Sequence, residues 1–138
     1  MIATEYIEFE TAGNGHMVDI TSEVSMVVEG SGISSGSVVL FVPGATGALT
    51  TIEYEPGLVE DMLEALERLA PAAAEYAHDQ RWRDGNGHSH IRASLLGPSL
   101  TVPFIDGRLA LGRWQQIVFL DMDNKPRHRR LVAQIMGE

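Results

Sequence analysis

Residues 78–90 read HDQRWRDGNGHSH and bring together His78, His88 and His90 with Asp79, Asp84 and Asn86 around a glycine turn. With no cysteine anywhere in the chain, thiolate chemistry and Cys-type zinc sites are excluded, and any metal must rest on imidazole and carboxylate donors. The stretch is either a metal centre or a polar loop in which histidines collect.

From His88 onward polar and apolar residues alternate, with His88, His90, Arg92 and Ser94 on one side and Ile91, Ala93 and Leu95 on the other. This period predicts a strand. Side chains two apart on a strand leave the same face about 6–7 Å from one another, so the imidazoles of His88 and His90 would converge on one ion. The flexible turn then lets His78 fold back as a third ligand, leaving one coordination position open, as in catalytic zinc sites. Asp84 and Asn86 are placed to hold the imidazole tautomers. Arg92 extends the polar face as a cation for a phosphate or carboxylate.

Three further stretches carry candidate groups. LTTIEYE presents Glu53 as a base or outer ligand. GATGALTT offers backbone N–H groups with the hydroxyls of Thr46, Thr50 and Thr51 as an anion cradle, although no GxxxxGK[ST] phosphate loop occurs. In LGRWQQI, Gln115 is either a buried hydrogen-bonding group or a site residue, and Trp114 is expected in the core. The candidate set is therefore His78, His88 and His90 for metal, Glu53, Asp84 and Arg92 for catalysis, and Thr46, Asn86 and Gln115 for ligand binding. His16 and His128 read as surface residues.

The elements that position these groups follow from pattern and turn chemistry. Ile7 and Phe9 alternate with Tyr6 and Glu8 across residues 2–11, a strand at a sheet edge. Thr21 opens a helix with Val24, Val27 and Val28 on one face, and GSGISSG closes it. SVVLFVPG, 37–44, is a strand buried on both faces at the centre of a sheet. EPGLVEDMLEALERLAP is the clearest helix, with Pro56 near its start and an apolar stripe through Val59, Met62, Leu63, Leu66 and Leu69, and AAAEYAHDQ can continue as a short second one. SLTVPF, GRLALG and RWQQIVFLDMD follow as strands. DNKP turns the chain into RHRRLVAQIM as the second arm of a terminal hairpin. Two helical segments among seven or eight strands, without βαβ alternation, predict an α+β fold containing a mostly antiparallel β-sandwich, in one domain spanning 1–138.

At 138 residues with a formal net charge of −9, the chain disfavours nucleic acid and anionic lipid as partners. RHRR at 127–130 reads as a solvated strand end that can hold a phosphate only locally. MIATEYIEFE has neither the basic start nor the apolar stretch of a secretory signal, and no apolar run approaches a membrane span, so the expected location is the cytoplasm.

Taken in order, VLFVPGATGALTTIEYEPG, YAHD, DGNGHSHIRASLLGPSLTVPFIDGRLALGRWQQIVFLDMD and PRHRRLVAQIMG resemble the YjbQ-like family, also called secondary thiamine-phosphate synthase, from about Ile2 to Gly137. The resemblance implies a homotrimeric α+β sandwich with its histidine cluster near subunit boundaries, holding zinc or another divalent ion such as magnesium. It also implies a weak thiamine-phosphate synthase activity, joining a pyrimidine diphosphate to a thiazole phosphate with loss of pyrophosphate. On this resemblance His78, His88 and His90 occupy the family's histidine positions, Glu53 its strand glutamate, and Asp84, Asn86 and Arg92 the polar positions around them. Many relatives carry a histidine after the Val-Pro turn, where this chain has Gly44. The rival expectations are a metal-dependent hydrolase and a trimeric module that binds a metal or small anion without turnover.

Overall fold

Alternation along Ile2–Thr11 makes the first strand, β1, and the computed structural model, which describes residues 1–138, places it at one edge of a large sheet. After it come β2 (His16–Asp19), helix α1 (Thr21–Ser31), β3 (Gly36–Phe41), β4 (Gly47–Ile52), α2 (Pro56–Leu69), α3 (Ala77–Trp82) and α4 (Gly87–Leu96). The chain ends with β5 (Ser99–Ile105), β6 (Arg108–Leu109), β7 (Gln116–Asp121) and β8 (Arg127–Gly137). The large sheet has the order β1-β8-β3-β5-β6 and the small one β2-β7-β4, with every pairing antiparallel. The α+β reading with a mostly antiparallel sandwich holds, but with four helices rather than two.

Val38 and Leu40, Val102 and Phe104, and Leu131, Ala133 and Ile135 line the inner face of the large sheet. They pack against Leu49, Ile117 and Phe119 of the small sheet, while Val24 and Val28 of α1 join the same core. The other face of the small sheet is also covered, because Val118, Leu120 and Met122 meet Leu66 of α2 and Ala93 of α4. Each large apolar side chain so buried contributes about 1.5–3 kcal/mol. The outcome is three layers, with β7 in the middle one and apolar on both sides.

The helix α2 starts where the sequence predicts, because the carboxylate of Glu55 accepts hydrogen bonds from the N–H groups of Gly57 and Leu58 at 2.9 and 2.8 Å. Those two bonds hold the Glu55 carboxyl below its ordinary pKa. Pro56 in the first turn has no N–H to leave unsatisfied.

Four expectations are corrected. Residues 88–95 form helix α4 and not a strand. Its buried positions, His88, Ser89, Arg92 and Ala93, recur at helical spacing, but three of them are polar, so the apolar period is masked. DNKP does not close a hairpin: β7 pairs with β2 and β4, whereas β8 pairs with β1 and β3, so the chain crosses between sheets there. The β3 strand is central in its sheet, yet only Val38 and Leu40 are buried and Phe41 is exposed. Trp114 lies outside the core, 64% exposed, with Arg113 over its ring. No helix is long and apolar enough to cross a membrane.

Candidate functional site

Where the chain crosses from β7 to β8 it carries acids two apart, Asp121 and Asp123, and then arginines two apart, Arg127 and Arg129. Asp121 is fully buried and accepts from Arg129 Nε at 2.7 Å, Arg129 Nη2 at 2.8 Å, Thr11 Oγ1 at 2.5 Å and its own neighbour's amide, Asp123 N, at 3.0 Å. The same Nη2 donates to Thr46 Oγ1 at 2.8 Å, and the Thr46 hydroxyl in turn donates to Asp123 Oδ2 at 3.0 Å. Arg127 Nε donates to that oxygen at 3.1 Å, and Asn86 Nδ2 donates to Asp123 Oδ1 at 3.3 Å. Burial pushes the Asp123 carboxyl up, but the donors Asn86, Thr46 and Arg127 outweigh it and hold the group below 3.8.

This network floors a polar cleft of about 390 Å³ that also includes Asp84, His90 and the Gly44–Ala45 turn. Gly44 has φ +118, a backbone conformation that side-chain-bearing residues rarely adopt. The backbone at position 44 is thus shaped for glycine.

The second component of the site comes from α3 and the loop after it. His78 Nδ1 lies 3.3 Å from Asp79 Oδ1 and 3.5 Å from Asp84 Oδ1, and the three donor atoms lie within 4.8 Å of one another. Ligand atoms about 2.0–2.2 Å from a tetrahedral zinc stand roughly 3.3–3.6 Å apart, so this N,O,O donor set fits a divalent cation in chemistry and spacing. The His78 ring packs on that of His90, with centroids 4.5 Å apart. His90 Nδ1 is 3.0 Å from the Ala45 carbonyl. A carbonyl only accepts, so Nδ1 carries the proton and Nε2 is left with a lone pair for a cation or a proton.

Asp84 and Asp123 line the cleft beside the permanent cations Arg127 and Arg129, and Asp79 stands behind Asp84 at His78. The excess of carboxylate favours a cation, and the two guanidiniums favour an anion beside it.

Of the residues singled out in the sequence, the structure brings His78, Asp84, His90, Asn86 and Thr46 to this region and leaves four elsewhere. His88 and His90 are two apart on a helix, about 200° around its axis, so they diverge. His88 is buried beside Tyr76, with ring centroids 6.4 Å apart, and its Nδ1 has no hydrogen-bond partner. Burial first, and then the Arg92 cation, push the His88 imidazole below its ordinary pKa. Arg92 turns away from the cleft, donating from Nε to the Ala70 carbonyl at 3.0 Å and from Nη2 to Glu67, which ties α4 to the end of α2. Glu53 and Gln115 lie at the opposite end of the small sheet. There Gln115 donates to Thr51 Oγ1 and accepts from Gly112 N, both at 3.0 Å. Register pairs Gly47 with Asp121 at one end and Ile52 with Gln116 at the other, about 17 Å away at about 3.3 Å per residue.

Asp121 and Asp123 escaped the sequence reading, which took Arg127 and Arg129 only as part of a solvated strand end able to hold a phosphate locally. Their signal is present: DMD ends an apolar strand with two same-face acids, and RHRR begins the next with two same-face arginines.

Residues 5–138 match the sequence profile of the family described as UPF0047 protein YjbQ-like. A UPF0047 protein of Archaeoglobus fulgidus is 41% identical over 94% of this chain and 98% of its own length. The UPF0047 protein YugU of Bacillus subtilis is 33% identical over 95% and 97%. Among solved structures, a YbjQ-like protein of unknown function from Sulfolobus solfataricus superposes with a TM-score of 0.89 at 30% identity, covering 100% of both chains. An uncharacterised conserved protein of the yjbq/upf0047 family from Clostridium acetobutylicum gives 0.87 at 33% identity, covering 96% of this chain and 99% of that one.

Proposed function

Because the chain belongs to the YjbQ-like UPF0047 family, we propose that its polar cleft binds a small phosphorylated molecule beside a divalent cation and transfers a group with loss of pyrophosphate, as in thiamine-phosphate synthesis. One observation carries this reading: Asp84, a member of the His78, Asp79 and Asp84 donor group, lines one cleft with Arg127 and Arg129. The cation, zinc or magnesium, would be held by His78 and the two aspartates with His90 Nε2 alongside, and it would stabilise charge growing on a departing phosphate.

The arginines act on the same charge from the other wall. Asp121 occupies Nε and Nη2 of Arg129, which fixes the guanidinium plane and leaves Nη1 free of those bonds. Arg127 is similarly held by Asp123 while its side chain is 42% exposed. The pair is preorganised, so little reorganisation accompanies the reaction. The protein would act in the cytoplasm as a homotrimer. Tyr6 and Phe41, 49% and 43% exposed on the outer face of the large sheet, support an association with further copies.

A binding module without turnover is the second reading, and one observation favours it. All four carboxylate oxygens of Asp121 and Asp123 already accept hydrogen bonds, which leaves neither free as a general base.

Purified untagged protein, loaded with zinc or magnesium, is expected to form thiamine phosphate from the pyrimidine diphosphate and thiazole phosphate. Arg127→Ala should slow this at least tenfold. Saturable binding of both precursors with no product under any metal would select the binding module. Binding of neither would remove the proposal.

A further inference from the structure

Alternate side chains at the start of β8 leave opposite faces of the sheet, so Arg129 is buried against Asp121 while His128 and Arg130 are exposed. Register sets Glu10 of β1 opposite His128 and Glu8 opposite Arg130. Both acids meet the imidazole, with Glu10 Oε1 2.6 Å from Nδ1 and Glu8 Oε1 3.0 Å from Nε2. The same His128 stands on the wall of the polar cleft, between Arg127 and Arg129 along the strand.

A carboxylate only accepts, so the two bonds together need an N–H on each ring nitrogen, which the imidazolium has and the neutral ring lacks. In the neutral ring one nitrogen turns its lone pair on a carboxylate at hydrogen-bond distance. Loss of the proton therefore opens one arm of the clamp. It also takes one positive charge from the cleft wall and leaves the two glutamates beside it unopposed. The other ionisable side chains on that wall are Asp84, Asp123, Arg127, Arg129 and His90, and of these only His90 is of a type that titrates near neutrality. Arg130 stands across from Glu8 and acts on the clamp from its outer side.

We propose that His128 is a proton-operated switch on the cleft: as the imidazolium, clamped between Glu8 and Glu10, it strengthens the hold on an anion, and on losing its proton it weakens that hold. The inference rests on the anion-binding reading of the cleft and adds its regulation. By linkage, an anion bound there tightens the hold of His128 on its proton. The clamp raises the His128 pKa above 6.5, so the change in affinity falls above that pH. All three side chains are more than half exposed, and solvent screening limits the coupling to about fivefold in affinity.

Sulfate is the probe, because it stays doubly charged throughout. Calorimetric titration of the purified untagged protein at fixed ionic strength, from about pH 6 to about pH 9, should show sulfate affinity falling about fivefold as pH rises above 6.5. Glu8→Gln with Glu10→Gln should move the fall to lower pH, and His128→Gln should remove it. Followed by NMR, the His128 ring should titrate at higher pH with sulfate than without. Affinity that is flat above pH 6.5, a fall that survives His128→Gln, or one that stays in place without the two glutamates overturns the switch and leaves the anion site standing. No sulfate binding at the acid end of the range overturns both.

Discussion

Arg129 and Asp121 meet through two parallel hydrogen bonds, Nε to Oδ2 at 2.7 Å and Nη2 to Oδ1 at 2.8 Å, with both side chains buried. They come from different sheets, Asp121 from β7 and Arg129 from β8. The pair thus rivets the two sheets together on the floor of the cleft and orients the Arg129 guanidinium that lines it. Such a pair adds little stability over an apolar replacement, but removing one partner leaves a buried charge without its counterpart.

Asp121→Ala is accordingly expected to destabilise the fold by about 3–5 kcal/mol, read from urea unfolding. Asp121→Leu combined with Arg129→Met should recover most of that loss. A cost for Asp121→Ala within about 0.5 kcal/mol would show that the buried charge finds water or another partner.

Metal content separates the histidines. His78→Ala is expected to reduce zinc affinity by at least tenfold, because it removes the nitrogen at the centre of the His78, Asp79 and Asp84 group. His88→Ala, which points into the helical layer, should keep its zinc to within about threefold. Elemental analysis beside competition with a chromophoric chelator reads both, and the opposite ranking would return His88 to the ligand set.

Two histidines should shape stability against pH in opposite directions. Bonds to Glu8 and then Glu10 raise the His128 pKa above 6.5, so its contribution is complete below 6.5 and is lost as pH rises through the folded value. Burial and then Arg92 lower the His88 pKa below 6.5. The unfolded chain therefore takes up a proton first as pH falls, and stability is lost from 6.5 down to the folded His88 value. Unfolding measured across the range should place these two limbs on either side of 6.5. His88→Leu should flatten the acid limb alone, and Glu8→Gln with Glu10→Gln the alkaline limb alone.

Arg92 gives a test that divides structure from ligand binding. Its bonds to Ala70 and Glu67 join α4 to the end of α2, so Arg92→Met should lower stability by about 1.5–3 kcal/mol. Affinity for methyl phosphate should stay within twofold of the parent protein. A tenfold loss of affinity with unchanged stability would mean that Arg92 swings into the cleft.

The sequence by itself determined the α+β class, the edge position of β1, the central position of β3, the helix that begins at Pro56 and the region that holds the donor groups. These follow from alternation, caps and turn residues, which act over a few positions along the chain. It also determined that a metal here must be met by imidazole and carboxylate, since the chain has no cysteine.

Only the tertiary structure decided which donors meet. Whether residues 88–95 form a strand or a helix turns on what their polar side chains pack against, and their local pattern fits both periods. The choice of helix separates His88 from His90 and sends Arg92 to Glu67. Likewise, DMD reads as the end of a strand and RHRR as a solvated strand end until the chain crosses between sheets and buries Asp121 against Arg129. Thr46 and Asn86 reach Asp123 across separations of 77 and 37 residues. Contacts that distant leave no periodic trace, because what selects them is the packing of one layer on another.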